Sequence, residues 1–227
     1  SKRFRPTLLL LSAQDGDGYD EGAITAGACV ELVHTATLVH DDFIDEALTR
    51  RGLPSVNAKY GQSAALIMGD YLYSKALHHL CLTGQSEAVE LLARTTVLMS
   101  EAEMLQLEHR FDMEASEDRY PQIIYQKTAS LIENSCRIGV AFNPRLRGEG
   151  EAFGEFGAKT GLVFQITDDI FDYLGDERRL GKPTGQDWEE GRITLPLIAA
   201  WRNAPEAARV RIGELAGLRT SEDRAAC

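Results

Sequence analysis

The sequence predicts an all-α chain built as a single large antiparallel helical bundle, and three observations carry that expectation. Apolar residues recur at helical spacing almost throughout, as in Ala28, Leu32, Thr35, Leu38 and Val39, or Leu91, Leu92, Val97, Leu98, Met104 and Leu105. No stretch alternates apolar and polar residues as a half-buried strand would. Glycine and proline gather at a few places, leaving segments of about 20 residues joined by short connections, the pattern of a bundle.

Taken in order, Leu8 to Leu11 belongs to a short core segment, and breaks are expected at 14–18, 51–54, 83–85, 112–121, 143–150 and 175–191. They leave helices at 20–47, 60–82, 86–110, 118–142, 149–174 and 193–202, with a shorter one at 206–217. One domain, 1–227, is the simplest organisation.

The 227 residues are 44% hydrophobic and 26% charged, an ordinary globular balance. With 35 acidic against 24 basic residues the formal net charge is −11, which excludes a general nucleic-acid binder. No apolar run looks long enough to span a membrane and no signal peptide is visible, so no membrane span and a cytoplasmic location are expected. Cys29, Cys81, Cys136 and Cys227 form no CxxC pair; the first three read as buried thiols in a reducing compartment and Cys227 as a tail residue.

One short pattern occurs twice: Asp41-Asp42-Phe43-Ile44-Asp45 and, 127 residues later (168 minus 41), Asp168-Asp169-Ile170-Phe171-Asp172. Carboxylates four apart on a helix share a face, about 6 Å apart along its axis. Like charges about 4 Å apart repel by roughly 4 kcal/mol near a protein surface, so six aspartates inside apolar helices call for a cation. Carboxylates without His or Cys suit a hard ion, and open coordination positions suit Mg²⁺ over Ca²⁺. A single DDxxD is as well explained by a solvated acidic turn; two copies in apolar helices are not.

Basic residues stand near these patches. Arg50 and Arg51 follow Asp45 closely, Lys2, Arg3 and Arg5 cluster at the start, Lys127 lies between the motifs, and Lys182 lies in a Gly-rich loop placed to close over a diphosphate site. Each alone reads as a surface residue paired with Glu; together they read as a grip for a diphosphate bridged by Mg²⁺.

The stretches Lys2-Arg3-Phe4-Arg5-Pro6, Glu31 to Asp45, Arg50-Arg51-Gly52, Met68-Gly69-Asp70-Tyr71, Lys127-Thr128-Ala129, Phe164 to Asp172, Leu180-Gly181-Lys182-Pro183 and Gly191 to Pro196 run in the order seen in trans-isoprenyl diphosphate synthases. The chain resembles that polyprenyl synthetase family, and its long-chain members in particular. The resemblance implies an isoprenoid-synthase bundle with a central active-site cavity, about three Mg²⁺ ions, a homodimer, and condensation of an allylic diphosphate such as geranyl or farnesyl diphosphate with isopentenyl diphosphate.

Carried over by residue, the resemblance makes Asp41 and Asp45 Mg²⁺ ligands with Asp42 in support, and Asp168 a ligand with Asp169 and Asp172 acting through water. It places Arg50, Lys127 and Lys182 on the allylic diphosphate, Lys2, Arg5, His34 and Arg51 on isopentenyl diphosphate, and Thr128 and Gln165 beside the reacting carbon. Helix geometry agrees: His34 lies seven residues before Asp41, and Gln165 three before Asp168, so each shares a face with its motif. Ala36 and Thr37 stand where family members with large aromatics stop chain growth. Their small size implies a product longer than fifteen carbons, with Ala36→Phe expected to shorten it.

The family's usual glycine pair before Lys2 is missing, and Thr220 to Cys227 stops short of its last helices, so a domain trimmed at both ends is expected. Asp187 to Arg192 departs from the family's more basic wording, with Arg192 where Lys is usual. A class I terpene cyclase would replace the second aspartate motif, and a non-catalytic subunit of a heteromeric prenyl synthase would lose aspartates; this sequence keeps all six. A purely structural bundle is the remaining alternative.

Overall fold

The computed structural model describes residues 3–16, 18–50, 52–176 and 184–226, with side chains described through residue 217 except 115 and 116. Lys2, Arg51 and Lys182, three of the expected binding residues, lie outside the described residues. The architecture is all-α, as expected. By contact the chain falls into two compact units, residues 1–98 with 129–161, and residues 99–128 with 162–227.

The first unit opens with α1 (Phe4–Ala13), the helix that contains the Leu8–Leu11 run, followed by α2 (Glu21–Ile44), which Asp20 caps by accepting from the Gly22 N–H at 2.7 Å. A hairpin of two-residue strands, β1 (Thr49–Arg50) and β2 (Leu53–Pro54), occupies an expected break; Gly52, at φ 76°, makes its turn. Ser55 caps α3 (Val56–Tyr60), and α4 (Gln62–Cys81) packs along α2. An 18-residue window of α2 reaches a mean hydropathy of 1.4, so, contrary to the sequence reading, one helix is long and apolar enough to cross a membrane; 44% of that window is buried inside the protein.

Helix α5 (Ser86–Glu108) begins in the first unit and ends in the second. The helix expected at 118–142 is three pieces: α6 (Met113–Ile124), a π-helical segment (Tyr125–Ala129) and α7 (Ser130–Ala141). Asp112 starts α6 by accepting from Glu114 N–H at 3.1 Å, which turns an expected break into helix even though Pro121 lies inside it. Helix α7 is buried nearly throughout and packs on α1 and α2; Leu9, Val30, Val33, Leu80 and Leu92 are among the other large buried side chains of the first unit. Helix α8 (Gly150–Leu174) approaches α7 closely through Gly157 and Gly161, where a Cβ would lie 2.7 Å from Glu133 Cα and 2.5 Å from Ala129 Cα.

The second unit's core is Met113, Tyr120, Ile124, Ile193 and Ile198, backed by Leu162, Ile166, Trp188, Leu197, Trp201 and Ile212. It includes α9 (Gln186–Glu189), α10 (Leu195–Asn203), which packs on α6, and α11 (Glu206–Ala226). Cys29 and Cys136 are buried, and burial pushes both thiols up to about 11; Cys81, expected to be buried, is exposed.

Candidate active site

Helix α2 ends inside the first motif. Asp45 is its C-cap, with its N–H on Asp41 O at 2.8 Å. Three carboxylates therefore crowd the negative end of a helix dipole, where cations are favoured. The protein answers part of that charge itself. The chain leaves α2 through Glu46 at φ 50°, and the hairpin returns Arg50 so that its Nε–H donates to Asp42 Oδ1 at 2.7 Å. Asn57 Nδ2 donates to Asp42 O, which also accepts the Ala47 N–H, and to Ala47 O, tying the helix end to the turn that follows it. Asp42 is buried, whereas Asp41 and Asp45 are half-buried. Arg50, expected on a diphosphate, thus already engages the motif through one donor of its fork.

Immediately before Asp41, the His40 Nε2 lies 3.1 Å from Leu66 O and 3.6 Å from Asp70 Oδ1, with its ring 5.9 Å from that of Tyr73. Gly69 lets that ring approach α4, since a Cβ there would fall 2.1 Å from Nε2. Burial, then the charges of Asp41 and Asp70, push the Tyr73 hydroxyl far above its ordinary range. Arg5 is half-buried; burial lowers its guanidinium to about 10 while Glu31 holds it up. His34 is half-buried on α2. Thr37, four residues before Asp41 and so on its face, is half-buried, with its hydroxyl on His34 O at 2.8 Å. Ala36, five residues before Asp41 and so turned about 140° from it, is 0% exposed.

In the second unit a chain of hydrogen bonds fixes the second motif. Thr128 Oγ1 donates to Gln165 Oε1 at 2.7 Å, Gln165 Nε2 donates to Asp169 Oδ1 at 2.8 Å, and Tyr120 donates to Asp169 Oδ2 at 2.6 Å. An ionised carboxylate only accepts, so the Gln165 amide is oriented by its neighbours. Asp169 is 3% exposed. Burial raises its pKa, opposed by the bonds from Tyr120 and Gln165. Asp172, equally buried, accepts the Asp187 N–H at 3.0 Å at the start of α9. Asp168 alone of the three is exposed.

Two of those partners, Tyr120 and Asp187, escape sequence reasoning. Asp187 accepts from Thr194 Oγ1 at 3.4 Å and pairs with Arg192 Nε at 3.4 Å. Burial pushes its carboxyl up to about 6, with Arg192 opposing and Asp172, Asp169 and Asp168 adding to the rise. Gly191, at φ 75°, accepts the Phe111 N–H, and Trp188 stacks edge-on against Phe111 at 5.8 Å, which seats the segment.

The π segment displays consecutive side chains to different partners. Lys127 Nζ donates to Glu103 Oε2 at 2.5 Å and to Gln106 Oε1 at 3.4 Å, Gln126 bonds Glu101, and Thr128 bonds Gln165. Such single π turns are frequent at functional sites. Glu103 and Gln106 are also missing from the sequence reading; a carboxylate beside Met99 and Ala102 on the buried face of α5 is the signal that marks them.

The donor set of the motifs is all oxygen, which fits a hard divalent cation. Asp41, Asp45 and Asp168 are the aspartates at solvent-reachable positions. Among the described residues no three His, Cys, Asp or Glu side chains gather into a cage.

Comparison with known proteins shows the family of the chain. The polyprenyl synthetase profile matches residues 1–227. The octaprenyl diphosphate synthase of Escherichia coli is 36% identical over 211 residues, covering 92% of this chain and 65% of that enzyme. A short chain isoprenyl diphosphate synthase of Methanothermobacter thermautotrophicus is also 36% identical, over 95% of this chain and 68% of its own length. The crystal structure of a decaprenyl diphosphate synthase from Rhodobacter capsulatus superposes with a TM-score of 0.85 at 34% identity, covering 95% of this chain and 66% of that one. The chain thus spans about two thirds of the length of these relatives. Matched along all of its residues by the profile, with both aspartate motifs intact, the chain belongs to the polyprenyl synthetase family.

Proposed function

We propose that this chain is the catalytic core of a Mg²⁺-dependent prenyltransferase that condenses an allylic diphosphate, such as geranyl or farnesyl diphosphate, with isopentenyl diphosphate in trans. The observation that supports this most is the division of labour within the aspartate motifs: inner carboxylates are tied to protein donors, while Asp41, Asp45 and Asp168 stay at solvent-reachable positions.

In this reading the allylic carbon–oxygen bond breaks and its electron pair leaves with diphosphate. The double bond of isopentenyl diphosphate then supplies the pair for the new carbon–carbon bond, and a proton passes to the released diphosphate. Asp41 and Asp45 of the first unit and Asp168 of the second would be the ligands of Mg²⁺, which when bound would offset charge on the departing group. Arg50, Lys127 and Lys182 grip that diphosphate, and Lys2, Arg5, His34 and Arg51 hold isopentenyl diphosphate. Asp42, Asp169 and Asp172 fix the carboxylate-bearing segments, and Thr128 with Gln165 presents fixed dipoles beside the reacting carbon, so that catalysis is mostly positioning and preorganised electrostatics.

Overall similarity does not decide product length, because octaprenyl and short-chain relatives are equally identical to this chain. The small Ala36 and Thr37 just before the first motif favour a product longer than fifteen carbons. The reading carries with it a single-domain protein acting as a cytoplasmic homodimer. Retention of every aspartate disfavours a cyclase or a non-catalytic subunit.

The test is transfer of labelled isopentenyl diphosphate onto primers of several lengths, with products extracted and sized. Mg²⁺-dependent elongation is expected, abolished by EDTA and by Asp41→Ala with Asp168→Ala. Undiminished transfer in EDTA overturns the reading. Products from farnesyl diphosphate that stop at geranylgeranyl diphosphate overturn the long-chain part alone.

A further inference from the structure

A lysine meant to grip a diphosphate would be expected to lie open, yet Lys127 is held by two neighbours. Its ammonium has three N–H donors, and Glu103 Oε2 at 2.5 Å and Gln106 Oε1 at 3.4 Å accept from it. The side chains of Lys127 and Glu103 are 22% and 14% exposed, so water screens the pair only partly. Both acceptors come from one face of α5, a helical turn apart, whereas Lys127 comes from the π segment. The Gln106 amide can face Lys127 only through its oxygen, because its Nε2 would set donor against donor; that nitrogen is buried without a hydrogen-bond partner. A buried donor left unsatisfied costs about 1–3 kcal/mol, and an apolar residue would avoid that cost, so a polar side chain here needs a reason beyond packing.

We propose that Glu103, assisted by Gln106, is a positioning residue that fixes the Lys127 ammonium so that its remaining donor is available to the departing diphosphate. This rests on the reading of Lys127 as a diphosphate grip. An ammonium on a four-carbon stem is a mobile point charge, unlike the preorganised fork of arginine, and needs external acceptors to hold it in one place. Glu103 touches no substrate in this account and acts through Lys127.

The experiment is steady-state kinetics with both substrates on Glu103→Ala, Glu103→Gln and Lys127→Met, and on Glu103→Ala combined with Lys127→Met. Orienting partners of this kind are typically worth roughly 10- to 100-fold. Glu103→Ala is expected to lower kcat/KM for the allylic diphosphate by about tenfold or more, with KM for isopentenyl diphosphate within about twofold of the parent. Glu103→Gln retains an acceptor oxygen and nearly the same shape, so it should recover most of the loss; it also serves as the informative variant if Glu103→Ala fails to fold. In the Lys127→Met background, Glu103→Ala should add less than about twofold, since its route of action is gone. Equal loss in both backgrounds, or equal damage to both substrates' KM, overturns the positioning role while leaving Lys127 in its own. If Lys127→Met itself changes nothing, the underlying reading of Lys127 fails instead.

Discussion

Replacing Gly69 by alanine sets two opposing effects against each other, and the structure decides between them. Gly→Ala in the middle of a helix ordinarily stabilises by about 1 kcal/mol. Here the new Cβ would lie 2.1, 2.3 and 2.7 Å from Nε2, Cδ2 and Cε1 of His40, against a normal carbon contact of about 3.5–4.0 Å, so the ring must retreat by more than about 1 Å. It is held by Leu66 O at 3.1 Å and Asp70 at 3.6 Å. Overpacking costs about 1–3 kcal/mol and the lost hydrogen bond about 1 kcal/mol, so Gly69→Ala should destabilise by roughly 1–3 kcal/mol net. At about 2–4 °C per kcal/mol for a chain of this size, Tm falls by roughly 2–12 °C. Gly213→Ala is the control, because its Cβ meets only Trp201 at 3.7 Å; it should hold or raise Tm. Because His40 precedes Asp41, the Mg²⁺ concentration for half-maximal activity should also rise severalfold in Gly69→Ala. Thermal unfolding and Mg²⁺ titration of activity check both expectations, and adding His40→Ala to Gly69→Ala should cost little beyond His40→Ala alone. A Tm that rises in Gly69→Ala, or full additivity with His40→Ala, would refute the clash.

Product sizing should show that Thr37→Phe and Ala36→Phe each shorten the chain with turnover retained, and Ala36→Phe, which adds a ring at a 0% exposed position, should also lower Tm. Alkylation near pH 8 followed by peptide mass analysis should mark Cys81 well before Cys29 or Cys136, whose buried thiols are raised to about 11. For Asp187, a folded pKa of about 6 lies above the ~3.9 of an unfolded aspartate, so the folded state binds the extra proton. The stability this group contributes is present below about pH 4 and is lost as pH rises to about 6. Denaturant titration without Mg²⁺ should therefore show Asp187→Asn gaining on the parent between those limits, and a difference independent of pH would contradict the shift.

What the sequence discloses and what it hides divide along range of interaction. The long helices were legible because periodicity and Gly or Pro are local signals, and the observed ends of α2, α4, α5 and α8 fall within a few residues of those expected. The π turn at Tyr125–Ala129 was not, because nothing in Tyr-Gln-Lys-Thr-Ala distinguishes it from α-helix. Segment 112–121 reads as a break from Pro121 alone, yet Asp112 supplies a cap and α6 runs through. Six aspartates were legible as a set, but not their separate surroundings. Tyr120 and Asp169 are 49 residues apart, and Asp172 and Asp187 are 15 apart, so those bonds exist only once the chain has folded.

The doubled aspartate that opens each motif has a geometric rationale in those surroundings. Adjacent residues on a helix point about 100° apart, so one of a pair can face the protein while the other faces outward. Asp42 and Asp169 face inward and receive Arg50, or Tyr120 and Gln165; Asp41 is half-buried and Asp168 exposed. An inner carboxylate removed from water without donors would be costly, and with them it becomes an anchor that locks the helix rotation. The outer carboxylate then inherits a fixed direction and need not be ordered by the cation it meets. The two motifs reach this by different chemistry, a guanidinium in one and neutral hydroxyl and amide donors in the other. At Asp42 the anchor is itself a cation, whereas at Asp169 the direct donors are neutral and the charge of Arg192 acts on the carboxylate beside them.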